Sequence, residues 1–151
     1  MPDTLTPISH FALAPEEVPS PKRSELVLDG TATGKRVHGT QLVAQYAYGD
    51  RFLLLLDEDC PYEGYLYALL LGPALEVVEQ RELGVPYAAG FVTNLRVAAA
   101  DALEFSFFGS DRWRLAVLSI PKLTWVDWNR PSTRQWRKLL SRRWLALDRI
   151  A

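Results

Sequence analysis

The chain has 151 residues, 48% of them hydrophobic, and a formal net charge of −1. That length suits a single domain, here 1–151, with a substantial buried core. The apolar content excludes a disordered chain, and the near-neutral charge excludes electrostatic attraction of the whole molecule to nucleic acid. The lone cysteine, Cys60, excludes an internal disulfide and favours a reducing compartment. The opening residues lack a basic stretch followed by an apolar run, and no apolar run approaches the length of a membrane span. Both features lead to the expectation of a cytoplasmic protein without membrane or nucleic-acid partners.

Residues 1–23 hold Pro2, Pro7, Pro15, Pro19 and Pro21. Proline lacks the amide donor that helices and central strands need, so this segment reads as an extended arm, ordered by packing Ile8, Phe11 and Leu13 on the body. The β body spans 24–120. Glu25–Leu28 reads as its first strand, and the Gly- and Thr-rich run from Asp29 to Gly39 as a loop. Gln41–Asp59 reads as a hairpin turning at Gly49-Asp50. Its second strand, Phe52–Leu56, is apolar at five successive positions. A strand turns alternate side chains to opposite faces, so this run requires cover on both sides.

Residues 64–71 form a third long apolar strand. Residues 73–84 read as a strand, with a helix as the alternative because Pro and Gly bracket the segment. Phe91, Thr93, Leu95, Val97 and Ala99 alternate along the next strand, Leu103, Phe105 and Phe107 continue the pattern, and Arg112–Ile120 ends at Pro121. The stretch from Asp50 to Leu56 resembles Asp101 to Phe107 at an offset of 51 positions, which suggests two four-stranded halves. Close strand spacing argues for a mainly β fold, an antiparallel meander or barrel-like sheet, with α+β as the alternative. At the C-terminus, Ser132 as N-cap and Trp136, Leu139, Leu140, Trp144 and Leu147 on one stripe predict an amphipathic helix over 132–149. Arg143 falls inside that stripe and needs an acidic or carbonyl partner. Between Arg130 and Arg149 seven basic residues meet one acid, which leaves 10 basic and 17 acidic residues elsewhere. A basic tail therefore sits beside an acidic body, on which it is expected to dock.

The motifs argue against most catalytic chemistry. Gly30 and Gly34 with Lys35 imitate a phosphate loop, but the glycines are one residue too close and Arg36 replaces the magnesium-binding hydroxyl. His10, His38 and Cys60 lack metal-ligand spacing, so neither a metal nor a cofactor is expected. Cys60 precedes Pro61 among carboxylates that oppose a thiolate. No catalytic residues are assigned. The distinctive surface feature is the acidic run from Asp57 to Glu63. Asp57, Glu58, Asp59 and Glu63 supply negative charge for steering a basic protein partner, and Tyr62 supplies an aromatic anchor. The expectation is a non-enzymatic binding protein of immunity or inhibitor type in a bacterial cytoplasm. The alternatives are a barrel that carries a small apolar ligand and an acid/base enzyme built on the acidic run.

Overall fold

The computed structural model describes residues 3–16, 23–58, 65–84, 91–107, 111–125 and 140–150; at residues 15, 120–125 and 140–142 it describes the backbone alone. Every regular element among them is a strand: β1 (Thr6–Pro7), β2 (Phe11–Pro15), β3 (Arg23–Leu28), β4 (Thr31–His38), β5 (Gln41–Tyr48), β6 (Arg51–Asp57), β7 (Tyr65–Leu71), β8 (Val77–Gly84), β9 (Thr93–Ala99), β10 (Ala102–Ser106), β11 (Arg112–Trp125) and β12 (Leu140–Arg149). All pairings are antiparallel. They build three sheets: a five-stranded sheet in the order β1-β5-β6-β7-β8, a four-stranded sheet β12-β11-β10-β9 and a three-stranded sheet β2-β3-β4.

The five-stranded sheet is the middle layer. Leu53 and Leu55 of β6, with Leu66, Ala68 and Leu70 of β7, pack against Leu103, Phe105, Phe107, Leu115, Val117 and Leu145 of the four-stranded sheet. The alternate residues Leu54, Leu56, Tyr67, Leu69 and Leu71 pack against Phe11, Leu26 and Val37 of the three-stranded sheet. The uninterrupted apolar run of β6 thus has the two-sided cover it requires. Each fully buried leucine contributes on the order of 2 kcal/mol. The described part of the N-terminal segment, residues 3–16, packs on the body as expected: Phe11 is buried, and Ile8 and Leu13 pack beside it.

Two hairpins are fixed by two-residue turns. Gly49 takes φ 60° between Tyr48 and its partner Arg51, where a Cβ would stand 2.7 Å from the Asp3 carboxylate. Asp29 and Gly30 take φ 50° and 80° between the paired Leu28 and Thr31. Two successive positive φ values match the right-handed twist of the flanking strands, and Asp-Gly is a favoured pair there. The expected loop from Asp29 to Gly39 is therefore corrected to this tight turn followed by strand β4. Its glycine marks a bulge: the β3–β4 register shifts between Glu25 and Val27, and Gly34 has φ 74°. The Thr33 hydroxyl donates to the Leu26 carbonyl at 2.6 Å inside that bulge. Residues 77–84 form β8, in agreement with the strand reading of that segment. The suggested halves correspond to two four-stranded meanders, β5 to β8 and β9 to β12, with β6 and β10 second in each.

The C-terminal helix is corrected over residues 140–149, which form β12; residues 132–139, including Trp136, lie outside the described residues. The leucines and arginines of this stretch favour a helix locally, but pairing with β11 supplies a continuous ladder and burial for Leu145. The expected end at Pro121 is corrected as well, because β11 runs on to Trp125. Its register with β12 jumps between Val117 and Lys122. Pro121 falls inside that bulge, where the absent amide removes no ladder bond. A further correction concerns β9. The expected inward face does not hold, since Phe91 and Val97 are exposed. The register with β10 shifts between Glu104 and Ser106, and Asn94 takes φ 53° there, which breaks the alternation.

At the β11–β12 bulge the two large sheets are tied together. Glu79 of β8 is buried, and its Oε2 accepts from the backbone amides of Trp144 at 3.1 Å and Leu145 at 2.5 Å. Its Oε1 accepts from Arg143 at 3.3 Å. Arg143 thus has the acidic partner on the sheet that its position demanded, although it belongs to a strand and its side chain is 42% exposed. Trp144 is half-buried, with the Arg51 guanidinium 4.2 Å from its ring centroid. At the opposite edge, the Leu5 amide donates to the Ala100 carbonyl at 2.7 Å.

Two tests follow from this packing. Leu54→Ala and Leu55→Ala point to opposite layers, and each should cost about 2–5 kcal/mol; chemical denaturation measures both, and tolerance of either would remove one layer of cover. Glu79→Ala strands two amides and one guanidinium and should cost about 3 kcal/mol. Arg143→Met removes one of the three donors of the buried Glu79 and leaves the two amides in place, and it should cost less, about 1–2 kcal/mol.

Candidate functional site

The acidic run leaves the end of β6, the strand with cover on both faces. Asp57 closes β6 opposite Gln41 of β5 and Leu66 of β7. The chain enters β5 from β4 through Gly39 and Thr40, and this crossover packs on the same end. The Thr40 amide donates to the Asp57 carbonyl at 2.8 Å, and the Thr40 hydroxyl to the Glu58 carbonyl at 3.1 Å. Gly39, at φ 100°, lies so close to Asp57 that a Cβ would stand 2.7 Å from its carbonyl oxygen. The buried Ser24 hydroxyl holds the Gly39 carbonyl at 2.7 Å. Backbone contacts and two hydroxyl hydrogen bonds therefore fix where the acidic run begins.

The side chains at this end form a small polar group. The Tyr67 hydroxyl donates to Glu58 Oε1 at 2.6 Å. The His38 ring stacks on Tyr67 with centroids 5.3 Å apart and planes at 22°. Burial, then the hydrogen bond to Glu58, then its negative charge push the Tyr67 phenol far above its ordinary value. Tyr67 thus stays protonated at neutral pH, as a donor that orients Glu58 and not as a base. Glu82 and Tyr65 also act on Tyr67 electrostatically. The result is an acidic platform, with Glu58 aimed by a buried phenol and Glu82 beside it.

Among the expected site residues, Asp57 and Glu58 are brought to this platform; Asp59, Tyr62 and Glu63 lie outside the described residues, as does Cys60. Sequence reasoning missed Tyr67, His38 and Thr40. The signal for Tyr67 was a hydroxyl in an otherwise apolar strand, since a buried phenol needs a hydrogen-bond partner. His10 is exposed and pairs with Asp29 at 3.1 Å. Among the described residues, no group of three or more His, Cys, Asp or Glu side chains gathers in a metal-holding arrangement. Among them also, no helix is long and apolar enough to cross a membrane.

Tyr67 makes the site's stability depend on pH. Its folded pKa lies above the ordinary phenol value of 10.0, so above about pH 10 the unfolded chain releases a proton that the folded chain retains. The contribution is complete below that pH and is lost as pH rises beyond it. Tyr46 and Tyr48, raised by burial, act in the same direction. Tyr67→Phe should cost about 1–2 kcal/mol at pH 7 and flatten the alkaline fall in stability, as read by urea denaturation between neutral pH and pH 11.

Compared with protein-family models, curated proteins and solved structures, the chain matches none, and the reading of its site therefore rests on its own geometry.

Proposed function

We propose that this protein is a non-enzymatic binding protein that holds a basic protein partner at the acidic end of its central sheet. Asp57 and Glu58, followed in the chain by Asp59, Tyr62 and Glu63, form the recognition segment, and the role is that of an inhibitor or immunity protein in a bacterial cytoplasm. The observation that carries the reading is the anchoring of Glu58. Its carboxylate takes the Tyr67 hydroxyl and its carbonyl takes the Thr40 hydroxyl, at the end of strands buried on both faces. A recognition segment rooted in rigid strands loses less freedom on binding than one rooted in a loose loop, and that preorganisation strengthens association.

A carrier of an apolar ligand is less well supported. The strands form three open sheets rather than a closed barrel, and large side chains fill the layers between them. An acid/base enzyme is also less well supported, since the Glu58 carboxylate is committed to a phenol that stays protonated.

Capture from the native lysate, with mass spectrometry of the bound fraction, should give a stoichiometric basic protein. With that partner, converting Asp57, Glu58, Asp59 and Glu63 to their amides should slow association more than it speeds dissociation, and the difference should shrink at physiological salt. Tyr62→Ala should raise the dissociation rate instead. Unchanged rates for the amide variant at low salt would end this reading.

A further inference from the structure

The outer face of the four-stranded sheet carries a second constellation, unrelated to the acidic end. Glu104 of β10 stands across from Arg96 of β9 and Arg114 of β11 in the register. Its Oε1 accepts from Nη2 of Arg96 at 3.2 Å and from Nη2 of Arg112 at 3.3 Å. Arg114 reaches Oε2 at 3.5 Å. Three guanidinium groups thus share one carboxylate. Asp148 of β12 stands opposite Arg114 in the register, so carboxylate-bearing residues flank Arg114 on both neighbouring strands, while Arg96 and Arg112 share Glu104 Oε1. Those two side chains line a cavity of about 250 Å³ together with Asn94, Phe105 and Ser106.

The backbone is shaped for this cavity. The β9–β10 register shifts between Glu104 and Ser106, where Ser106 pairs with Thr93 and Glu104 with Arg96. Phe105 therefore faces two residues of β9, and one of them, Asn94, holds φ 53°. A left-handed conformation at a residue other than glycine costs free energy and recurs where a bulge re-aims a side chain at a functional site. The cavity between Arg96 and Arg112 lies at this register shift, with Asn94, Phe105 and Ser106 in its lining. Glu104, whose side chain is only 13% exposed, holds the two guanidinium groups side by side, while they remain 61% and 47% exposed and open to a ligand.

We propose that this cavity binds the phosphate group of a small phosphomonoester. Each guanidinium carries five N–H donors in a planar fork that matches phosphate oxygens, and one nitrogen of each suffices for Glu104. A doubly charged monoester suits two arginines sharing one carboxylate with a third. The cavity is smaller than the roughly 300–1,000 Å³ of most ligand pockets, so it takes the phosphate group and few further atoms. Ser106 and Asn94 supply neutral polar residues to the lining. Glu104 is a positioning residue that aligns the forks.

The test titrates the full chain with inorganic phosphate and with phenyl phosphate at fixed ionic strength, followed by backbone amide chemical shifts. Saturable shifts centred on Asn94–Arg96 and Ser106 are expected for both probes; stronger binding of phenyl phosphate assigns the site to a phosphorylated metabolite, and equal binding to the phosphate group itself. Arg112→Gln and Arg96→Gln should each weaken binding roughly tenfold or more, while the unfolding midpoint stays near that of the parent, because exposed pairs contribute little to stability. Arg96→Lys keeps the charge and loses the fork, and should fall between the parent and Arg96→Gln. The proposal is overturned by no saturable shifts in the parent chain, by equal response to chloride and phosphate, or by unchanged binding in both glutamine variants. Tighter binding of a single-stranded oligonucleotide than of phenyl phosphate also overturns it, in favour of a nucleic-acid backbone.

Discussion

The structure depends on the burial of β6 and β7 from both sides. A sheet with one apolar face needs one covering layer; a sheet whose central strands are apolar at every position needs two. Leu53 and Leu55 look toward one layer and Leu54 and Leu56 toward the other, all buried. The remaining architecture answers that demand. The meander of β9 to β12 supplies the first layer, and the N-terminal strands β2 to β4 supply the second. Phe11 of the proline-rich segment thus joins Leu26 of β3 in covering this face of β6 and β7, which would otherwise meet water.

Layered sheets leave edges, and an open edge invites pairing with other chains. Here the edges are managed by single polar contacts. Glu79 reaches from β8 to the β12 amides at the point where the β11–β12 ladder breaks, and the Leu5 amide reaches the Ala100 carbonyl on the other side. A buried carboxylate is costly unless its lone pairs are used, and three donors use those of Glu79. The same contact holds the Trp144 amide and the Arg143 guanidinium of β12. The bulges of β9 and β11 are the places where backbone irregularity does chemical work: one admits Pro121 and presents amides to Glu79, the other shapes the arginine-lined cavity.

Much of the fold was legible because its main signals are local. The Gly49-Asp50 turn, the two-faced apolar strands and the spacing of the later strands follow from periodicity and turn chemistry. The failures share a cause, which is that partner strands decide between local options. The run from Leu140 to Arg149 has helix-forming residues and a plausible stripe, yet β11 offers a ladder that no helix could use. Gly34 and Pro121 read as breakers, but in a twisted sheet they serve as bulges. The Asp29-Gly30 pair is a strong hairpin signal, obscured by the glycines and threonines after it. At the acidic end the charges were visible in the chain, whereas Tyr67, His38 and Thr40 come from β7, β4 and the crossover before β5, and only tertiary pairing brings them to Glu58. The arginine cavity was invisible for the same reason, since Arg96, Glu104 and Arg112 become neighbours through register.

Native-state hydrogen exchange tests the two-sided burial most directly. If both layers cover the central sheet, the amides of Leu53–Leu56 and Leu66–Leu71 exchange only through global unfolding, with protection equal to the full stability of the protein. The edge strand β9 should exchange through smaller openings, because Val97 and its neighbours are exposed. Exchange of the β6 and β7 amides as fast as those of β9, or through an opening that leaves β2 to β4 detached at little cost, would contradict the account.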